Sequence, residues 1–264
     1  MKTPITYWGG KQQLVSKILP LIPDHKQYNE PFFGGGAIFF AKQPSEIEFI
    51  NDINGEMVNF YKTLKRKFDE LKDEVDCTLH SEFQHRQARE IYSEPLQHSD
   101  VLRAWAVWML SKQSIYSILT NGWSVSIDKN KAKQVQWSKE AFTIVYARRL
   151  ERTSIFSRDA INVIESTDTA TTFHYVDPPY YNADMGHYGG YTEADFRRLL
   201  NTLALCEGKF MLSSYPSDLL TEFTKKNGWQ TIDIHMAKAA GGGTKTEVLT
   251  MNYDKSNTKQ LILF

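Results

Sequence analysis

The sequence predicts an α/β fold, a mostly parallel sheet with one antiparallel strand, interrupted by a mainly helical insertion with a β-hairpin. Three observations predict it. Short apolar runs of strand length alternate with amphipathic stretches of helical period towards both ends of the chain. Near the C-terminus two strand-like runs, Thr231–Met236 and Glu247–Tyr253, are separated only by the glycine-rich tip Ala239 to Thr244, so one of them should run antiparallel. From about Asp73 to Arg152 the alternation breaks and helical periodicity takes over.

At 264 residues, with 41% hydrophobic and 13% aromatic residues, the chain has the composition of one large globular domain, or of a domain with a sizeable insertion. Formal net charge is zero, so any nucleic-acid binding must come from a local patch. Cys77 and Cys206 lie far apart and match no metal-site spacing, which predicts reduced thiols. No secretory leader and no apolar run of about 18 residues is found, so a cytoplasmic protein without a membrane span is expected.

Tyr7-Trp8-Gly9-Gly10-Lys11 opens the chain's first glycine turn. A helix should follow, with Leu14, Ile18, Leu21 and Ile22 on one face, ended by Pro20 and Pro23. Lys11 near its start is opposed by the helix dipole, which points to an anionic partner; a solvated surface lysine is the alternative. Gln27 to Glu30 reads as a strand running into Gly34-Gly35-Gly36, and a helix begins near Ala37. Strand, glycine loop and helix together have the layout of a nucleotide-binding turn. The glycine spacing differs from that of dinucleotide and ATP sites, so the triple glycine says only that something packs closely on this backbone.

Glu48 to Asp52 is the second strand, with Asp52 at its end, where an acidic side chain can take ribose hydroxyls or cap the next helix. That helix should run from about Asn54 to Lys72, with Met57, Phe60, Tyr61, Leu64 and Phe68 inward. In the insertion, Glu82–Tyr92 and Val101–Ser117 read as helices, and Asn121-Gly122 between alternating residues from Leu119 to Ile127 signals the hairpin. From Leu110 to Arg152 the chain carries eight basic residues, Lys129, Lys131 and Lys133 among them, against the acidic Asp128, Glu140 and Glu151. Mixed with Tyr116, Trp123, Trp137 and Tyr146, they form a candidate phosphate- and base-contacting surface, or else a solvated helical face.

Strand character resumes at Ser154 to Arg158, placing Asp159 at a strand end, with a short helix through Val163-Ile164. Phe173 to Val176 reads as a buried strand, followed by Asp177-Pro178-Pro179-Tyr180 and a Tyr- and Gly-rich loop from Tyr181 to Tyr191. The prolines remove two N–H donors, leaving the Asp177 carboxylate and nearby carbonyls as acceptors, while Tyr180 adds a face for stacking. This chemistry suits a planar ring bearing an amino group; a plain Pro-rich turn is the alternative. Glu193–Leu205 and Asp218–Lys226 are predicted helices and Lys209–Ser214 a strand.

Taken in order, these motifs resemble the Dam-type DNA adenine methyltransferases, in the arrangement that sets target recognition between the cofactor and catalytic motifs. The motifs are Tyr7-Trp8-Gly9-Gly10-Lys11, Glu30 to Gly36, Asn51-Asp52-Ile53-Asn54, Asp177-Pro178-Pro179-Tyr180 and Glu247 to Tyr253. The resemblance implies a Rossmann-like methyltransferase fold, with residues 1–72 and 153–264 as the catalytic domain and 73–152 as a target-recognition insertion. S-adenosylmethionine would be the methyl donor, S-adenosylhomocysteine the product, and no metal is expected. The implied cofactor-binding residues are Tyr7, Trp8, Lys11, Glu30, Phe32, Gly34, Gly36, Asp52, Ile53, Asp159 and Asp177. Among them Asp52 would take the ribose hydroxyls, Lys11 the methionine carboxylate and Asp159 the adenine amino group. Asp177, Pro178, Pro179 and Tyr180 would be catalytic, and Asn121, Trp123, Lys129, Lys131 and Lys133 would contact DNA.

The implied reaction is methylation of the N6 amino group of adenine in duplex DNA after base flipping. Its setting would be a bacterial cytoplasm or a virus within it, with a cognate restriction endonuclease as the partner in one such setting. The open alternatives are another amino group on the same fold (cytosine in DNA, adenine in RNA, a protein glutamine) and a catalytically silent DNA-binding protein.

Overall fold

The computed structural model describes residues 1–182, 191–237 and 244–254. The glycine-rich tip and most of the Tyr181–Tyr191 loop, including Gly186, Gly189 and Gly190, lie outside the described residues. The strands are β1 (Gln27–Glu30), β2 (Ile47–Asn51), β3 (Thr153–Phe156), β4 (Thr172–Val176), β5 (Lys209–Ser214), β6 (Gln230–Ala237) and β7 (Thr244–Met251). The helices are α1 (Val15–Ile18), α2 (Ala37–Ala41), α3 (Gly55–Arg66), α4 (Phe68–Asp76), α5 (Glu82–Ser93) and α6 (Asp100–Gln113). They continue with α7 (Lys131–Glu140), α8 (Val145–Arg149), α9 (Ala160–Thr167), α10 (Glu193–Leu205) and α11 (Asp218–Asn227).

One seven-stranded sheet runs in the order β3-β2-β1-β4-β5-β7-β6. The pairs β1–β2, β1–β4 and β4–β5 are parallel, with Gln27 opposite both Ile47 and Thr172, and Phe173 opposite Lys209. β7 is the reversed strand, antiparallel to both neighbours, with Met251 opposite Met211 on β5 and Gln230 on β6. The architecture is thus the expected mixed α/β sheet. Every residue of β4 is buried, as a central parallel strand covered on both faces requires. The chain goes from β1 outward to β2 on one side and takes up β4 on the other. The strand order therefore reverses at β1 and β4, the place where open α/β sheets bind ligands beyond the strand ends.

The chain divides into two compact units: residues 1–15, 34–44 and 52–157, and residues 16–33, 45–51 and 158–264. In the first, α6 is buried nearly all round, with Trp105, Trp108, Met109 and Leu110 inside, and α3, α4 and α5 pack against it. Phe60, Tyr61, Phe142 and Tyr146 extend this aromatic core. In the second unit, Phe196, Leu199, Leu200 and Leu203 of α10 pack with Leu219, Leu220 and Phe223 of α11 on Val176, Phe210 and Leu212 of the sheet. Side-chain caps start most of the long helices: Asn54, Ser81, Ser99, Asn130, Thr192 and Ser217 each accept a first-turn N–H.

Four expectations need correction. The first helix is broken into a 3-10 turn at Lys11–Gln13, the four residues of α1 and a second 3-10 turn at Leu19–Leu21. Pro20 supplies no N–H to a longer ladder. The helix expected from Asn54 to Lys72 is two, parted where Lys67 leaves helical geometry at φ −136° and ψ 46°. Phe68 is consequently only half-buried, while Leu71 and Val75 turn inward. The hairpin at Asn121-Gly122 is absent: one antiparallel bridge joins Ser114 to Trp123, and the alternating Val125 and Ile127 stand exposed. Alternation alone does not hold two short strands together without a sheet or a core to cover one face. Asp159 follows β3 by three residues and belongs to the turn into α9 rather than to a strand end.

Candidate active site

In the first unit the site is built around Asp52, which directly follows β2. Its Oδ2 accepts from the Gly34 N–H at 2.9 Å and its Oδ1 from the Asn54 N–H at 2.9 Å. Burial pushes its carboxyl up to about 6 from an ordinary 3.8, although both N–H bonds favour the charged form. Helix capping falls instead to Asn54, whose Oδ1 accepts from the Glu56 N–H. Asp52 is thereby left as a half-buried carboxylate at a strand end, while Ile53 beside it is 75% exposed.

The glycine loop reveals what packs on its backbone. Gly34 has φ +46°, and a Cβ there would lie 2.9 Å from Cδ1 of Tyr7; one on Gly35 would lie 3.1 Å from the Tyr7 Cβ. Gly36, at φ 65°, precedes α2 in the left-handed conformation. The Tyr61 hydroxyl donates to the Gly34 carbonyl at 2.7 Å. Lys11 is 5% exposed and donates to the Gly9 carbonyl at 2.9 Å, so the solvated-lysine alternative is set aside. Trp8 meets Tyr116 edge-on at 5.7 Å, and Tyr116 and Ser117 both hold φ 57°, uncommon for side chains of their kind.

The proposed DNA-contacting residues lie in the same unit. Asn121 donates to the Ile115 carbonyl at 3.2 Å, and Trp123 packs tilted against the His80 ring at 4.6 Å while its N–H donates to Gln113 Oε1 at 3.3 Å. Both therefore shape their own loop. Lys129 is exposed before α7, and Lys131 and Lys133 fall in its first turn, with Lys133 lying 5.1 Å over the Trp137 ring.

In the second unit, Pro31 and Phe32 follow β1 and Asp177 follows β4, the two strands at which the order reverses. Glu30 is buried and accepts from the Tyr28 hydroxyl at 2.7 Å. Phe32 packs on the α10–α11 core. Asn51 ties the loop after β1 in place: its side chain donates to the carbonyls of Pro31 and Arg158 at 2.9 Å each, and its own carbonyl accepts from the Phe33 N–H. Asp159 caps α9 through the Ile161 N–H at 2.9 Å and pairs with Arg198 at 3.1 Å.

At Asp177-Pro178-Pro179-Tyr180, Pro178 is buried and the other three are half-buried. The Tyr180 hydroxyl donates to Asp177 Oδ1 at 3.2 Å and lies 2.9 Å from Ser213 Oγ and 3.5 Å from Glu247 Oε2. Its ring meets Tyr215 edge-on at 4.5 Å. Burial, then the charges of Asp177 and Glu247, hold the phenol far above its ordinary range, so it is a donor at any physiological pH. Sequence reasoning named neither Ser213 nor Glu247 as a site residue. Their signals were a polar pair ending an apolar strand and an acid directly before the apolar pair Val248-Leu249.

The strand-order reversal carries the Asp-Pro-Pro-Tyr turn and a half-buried carboxylate follows the second strand, which gives the chain the layout of an α/β protein that binds its ligand beyond the strand ends. Residues 7–235 match the model of the D12 class N6 adenine-specific DNA methyltransferases, and the chain belongs to that family. A Type II methyltransferase of Lactococcus lactis subsp. cremoris is 28% identical over 95% of each chain. A Type II methyltransferase of Methanocaldococcus jannaschii is 27% identical over 73% of this chain and 74% of its own. A DNA adenine methylase of Vibrio cholerae is 39% identical over 57 residues, 22% of this chain and 20% of its own. The protein is an adenine-specific DNA methyltransferase acting at N6, as the motifs implied, and S-adenosylmethionine is the general methyl donor of its family. Among the described residues no helix is long and apolar enough to cross a membrane.

Proposed function

We propose that Asp177 and the Pro178 carbonyl bind the two hydrogens of the adenine amino group, and that Asp52 and Lys11 anchor the methyl donor. The observation that carries this reading is the place of Asp177-Pro178-Pro179-Tyr180, directly after a fully buried strand at the reversal of strand order. When bound, S-adenosylmethionine supplies the sulfonium methyl. The chain's residues fit it: Asp52 is an acceptor for two hydroxyl donors, Lys11 a buried cation for a carboxylate, and Gly34, Gly35 and Tyr7 form a close-packed floor. Tyr7, Trp8, Glu30, Phe32, Gly34, Gly36 and Ile53 complete the cofactor set, with Asp159 as acceptor for the adenine amino group.

The amino nitrogen of adenine is a poor nucleophile because its lone pair is delocalised into the ring. Two acceptors aimed at its hydrogens draw that pair out of conjugation and stabilise the positive charge that develops on nitrogen. Positioning supplies much of the remaining acceleration, and neither a covalent enzyme intermediate nor a metal is required. The target atom is enclosed in the duplex, so the base is flipped out and stacks on Tyr180. Residues 73–152 read the target, with Lys129, Lys131 and Lys133 on phosphates and Asn121 and Trp123 shaping the reading loop. A restriction endonuclease of the same specificity is the proposed partner, and a bacterial cytoplasm the proposed setting. In the direct test, Asp177→Ala stays folded and transfers no methyl group to duplex DNA, whereas turnover at the wild-type rate would refute the role of Asp177.

A further inference from the structure

Behind the Asp-Pro-Pro-Tyr turn stands a second carboxylate that the reaction as described leaves without a task. Glu247 lies on β7 and is 3% exposed. Its Oε1 accepts from Lys245 at 3.2 Å, and its Oε2 faces Ser213 Oγ and the Tyr180 hydroxyl, each at 3.5 Å. Ser213, wholly buried on β5, comes within 2.9 Å of the same hydroxyl, which in turn donates to Asp177. Two hydroxyls thus connect two carboxylates.

We propose that Glu247, through Ser213 and Tyr180, is a positioning residue for Asp177 in methyl transfer. The proposal rests on the reading of Asp177 as the amino-group acceptor. A phenol has one proton, and while Tyr180 donates it to Asp177 its oxygen can accept from Ser213. A hydroxyl that accepts a hydrogen bond donates a stronger one. Tyr180 thereby holds one Asp177 oxygen in place. Glu247 acts on this pair by charge: 3.5 Å from both hydroxyl oxygens, its carboxylate opposes ionisation of the phenol and so keeps Tyr180 the donor to Asp177. The stacking face of Tyr180 plays no part in this chain, so Tyr180→Phe separates the hydroxyl's role from that of the ring.

The test is a double-mutant cycle of Tyr180→Phe and Glu247→Gln, read as single-turnover methylation of duplex DNA at saturating S-adenosylmethionine, with DNA and cofactor affinities measured alongside. Each single variant should lose about tenfold in rate, the scale of one charge-assisted hydrogen bond. Both affinities should stay within about twofold of wild type. The double variant should be no slower than the slower single, because both break one chain. A double variant about a hundredfold slower, the product of two independent losses, overturns the proposal, and so does an unchanged rate in Glu247→Gln. Thermal unfolding is followed for each protein. Should Glu247→Gln fail to fold, Ser213→Ala replaces it in the same cycle and is judged by the same non-additivity. Asp177→Asn runs in parallel: if it keeps the wild-type rate, the reading of Asp177 fails, whereas its loss beside an additive cycle refutes the Glu247 chain alone.

Discussion

Asp52 carries a conflict that ligand binding would resolve. Burial raises its carboxyl to about 6 from 3.8, so the folded chain holds the proton more tightly than the unfolded chain. The stability tied to neutral Asp52 is complete below 3.8 and is lost as pH rises through about 6. Ribose hydroxyls donate best to the charged form, so cofactor binding runs the other way. Calorimetric affinity for S-adenosylmethionine should therefore fall as pH drops from about 7.5 to about 5, and Asp52→Asn should bind weakly with that slope flattened. Over the same range the cofactor-free wild type should gain more thermal stability on acidification than Asp52→Asn does. Gly34 offers a second test at this scale. Its φ of +46° and the Tyr7 ring 2.9 Å from a would-be Cβ mean that Gly34→Ala must both strain the backbone and displace the ring. A left-handed residue costs roughly 1–2 kcal/mol, so denaturant unfolding should show at least that loss, together with weaker cofactor binding.

Helix α7 is the element whose charges make little sense without a ligand. Lys131 and Lys133 occupy its first turn, which holds no acidic residue, although the positive end of the helix dipole repels cations. Replacing Lys129, Lys131 and Lys133 together by alanine should leave stability unchanged or slightly higher, since only the Lys133–Trp137 contact is lost. DNA binding should weaken, and the slope of log affinity against log salt should shrink by about 0.9 for each phosphate contact removed. An unchanged slope would move the DNA surface elsewhere. Elements also differ in how far their sequences announce them. β4, β5, α10 and α11 were legible because strand length, helical period and the caps Thr192 and Ser217 agree. The stretch after Asn121-Gly122 had the right alternation and no surface to pair with, so Val125 and Ile127 remain in solvent. The break at Lys67 had no signal at all, for nothing in Arg66-Lys67-Phe68 opposes a helix.

At the scale of the whole molecule, the seven-stranded order sets the ends of β1 and β4 at the reversal, and the family assignment names the reaction. The expected product is N6-methyladenine in one short sequence context. Incubating the protein with S-adenosylmethionine and mixed-sequence DNA, then mapping methylated bases at single-nucleotide resolution, checks this. Methylation scattered over all adenines would leave the insertion without a reading role.

The sequence by itself determined the seven strands of the sheet, the five motifs and their order, and hence the reaction. These rest on residues close in the chain: apolar period, prolines after a carboxylate, glycines in a row. Only the tertiary structure decided that Tyr7 is the ring on the glycine loop, that Lys11 is buried, that Asp159 pairs with Arg198 and that Ser213 and Glu247 stand behind Tyr180. Such contacts join residues tens of positions apart through strand register. Ser213 faces Leu249 across β5 and β7, and a slip of one residue would carry Glu247 to the other side of the sheet.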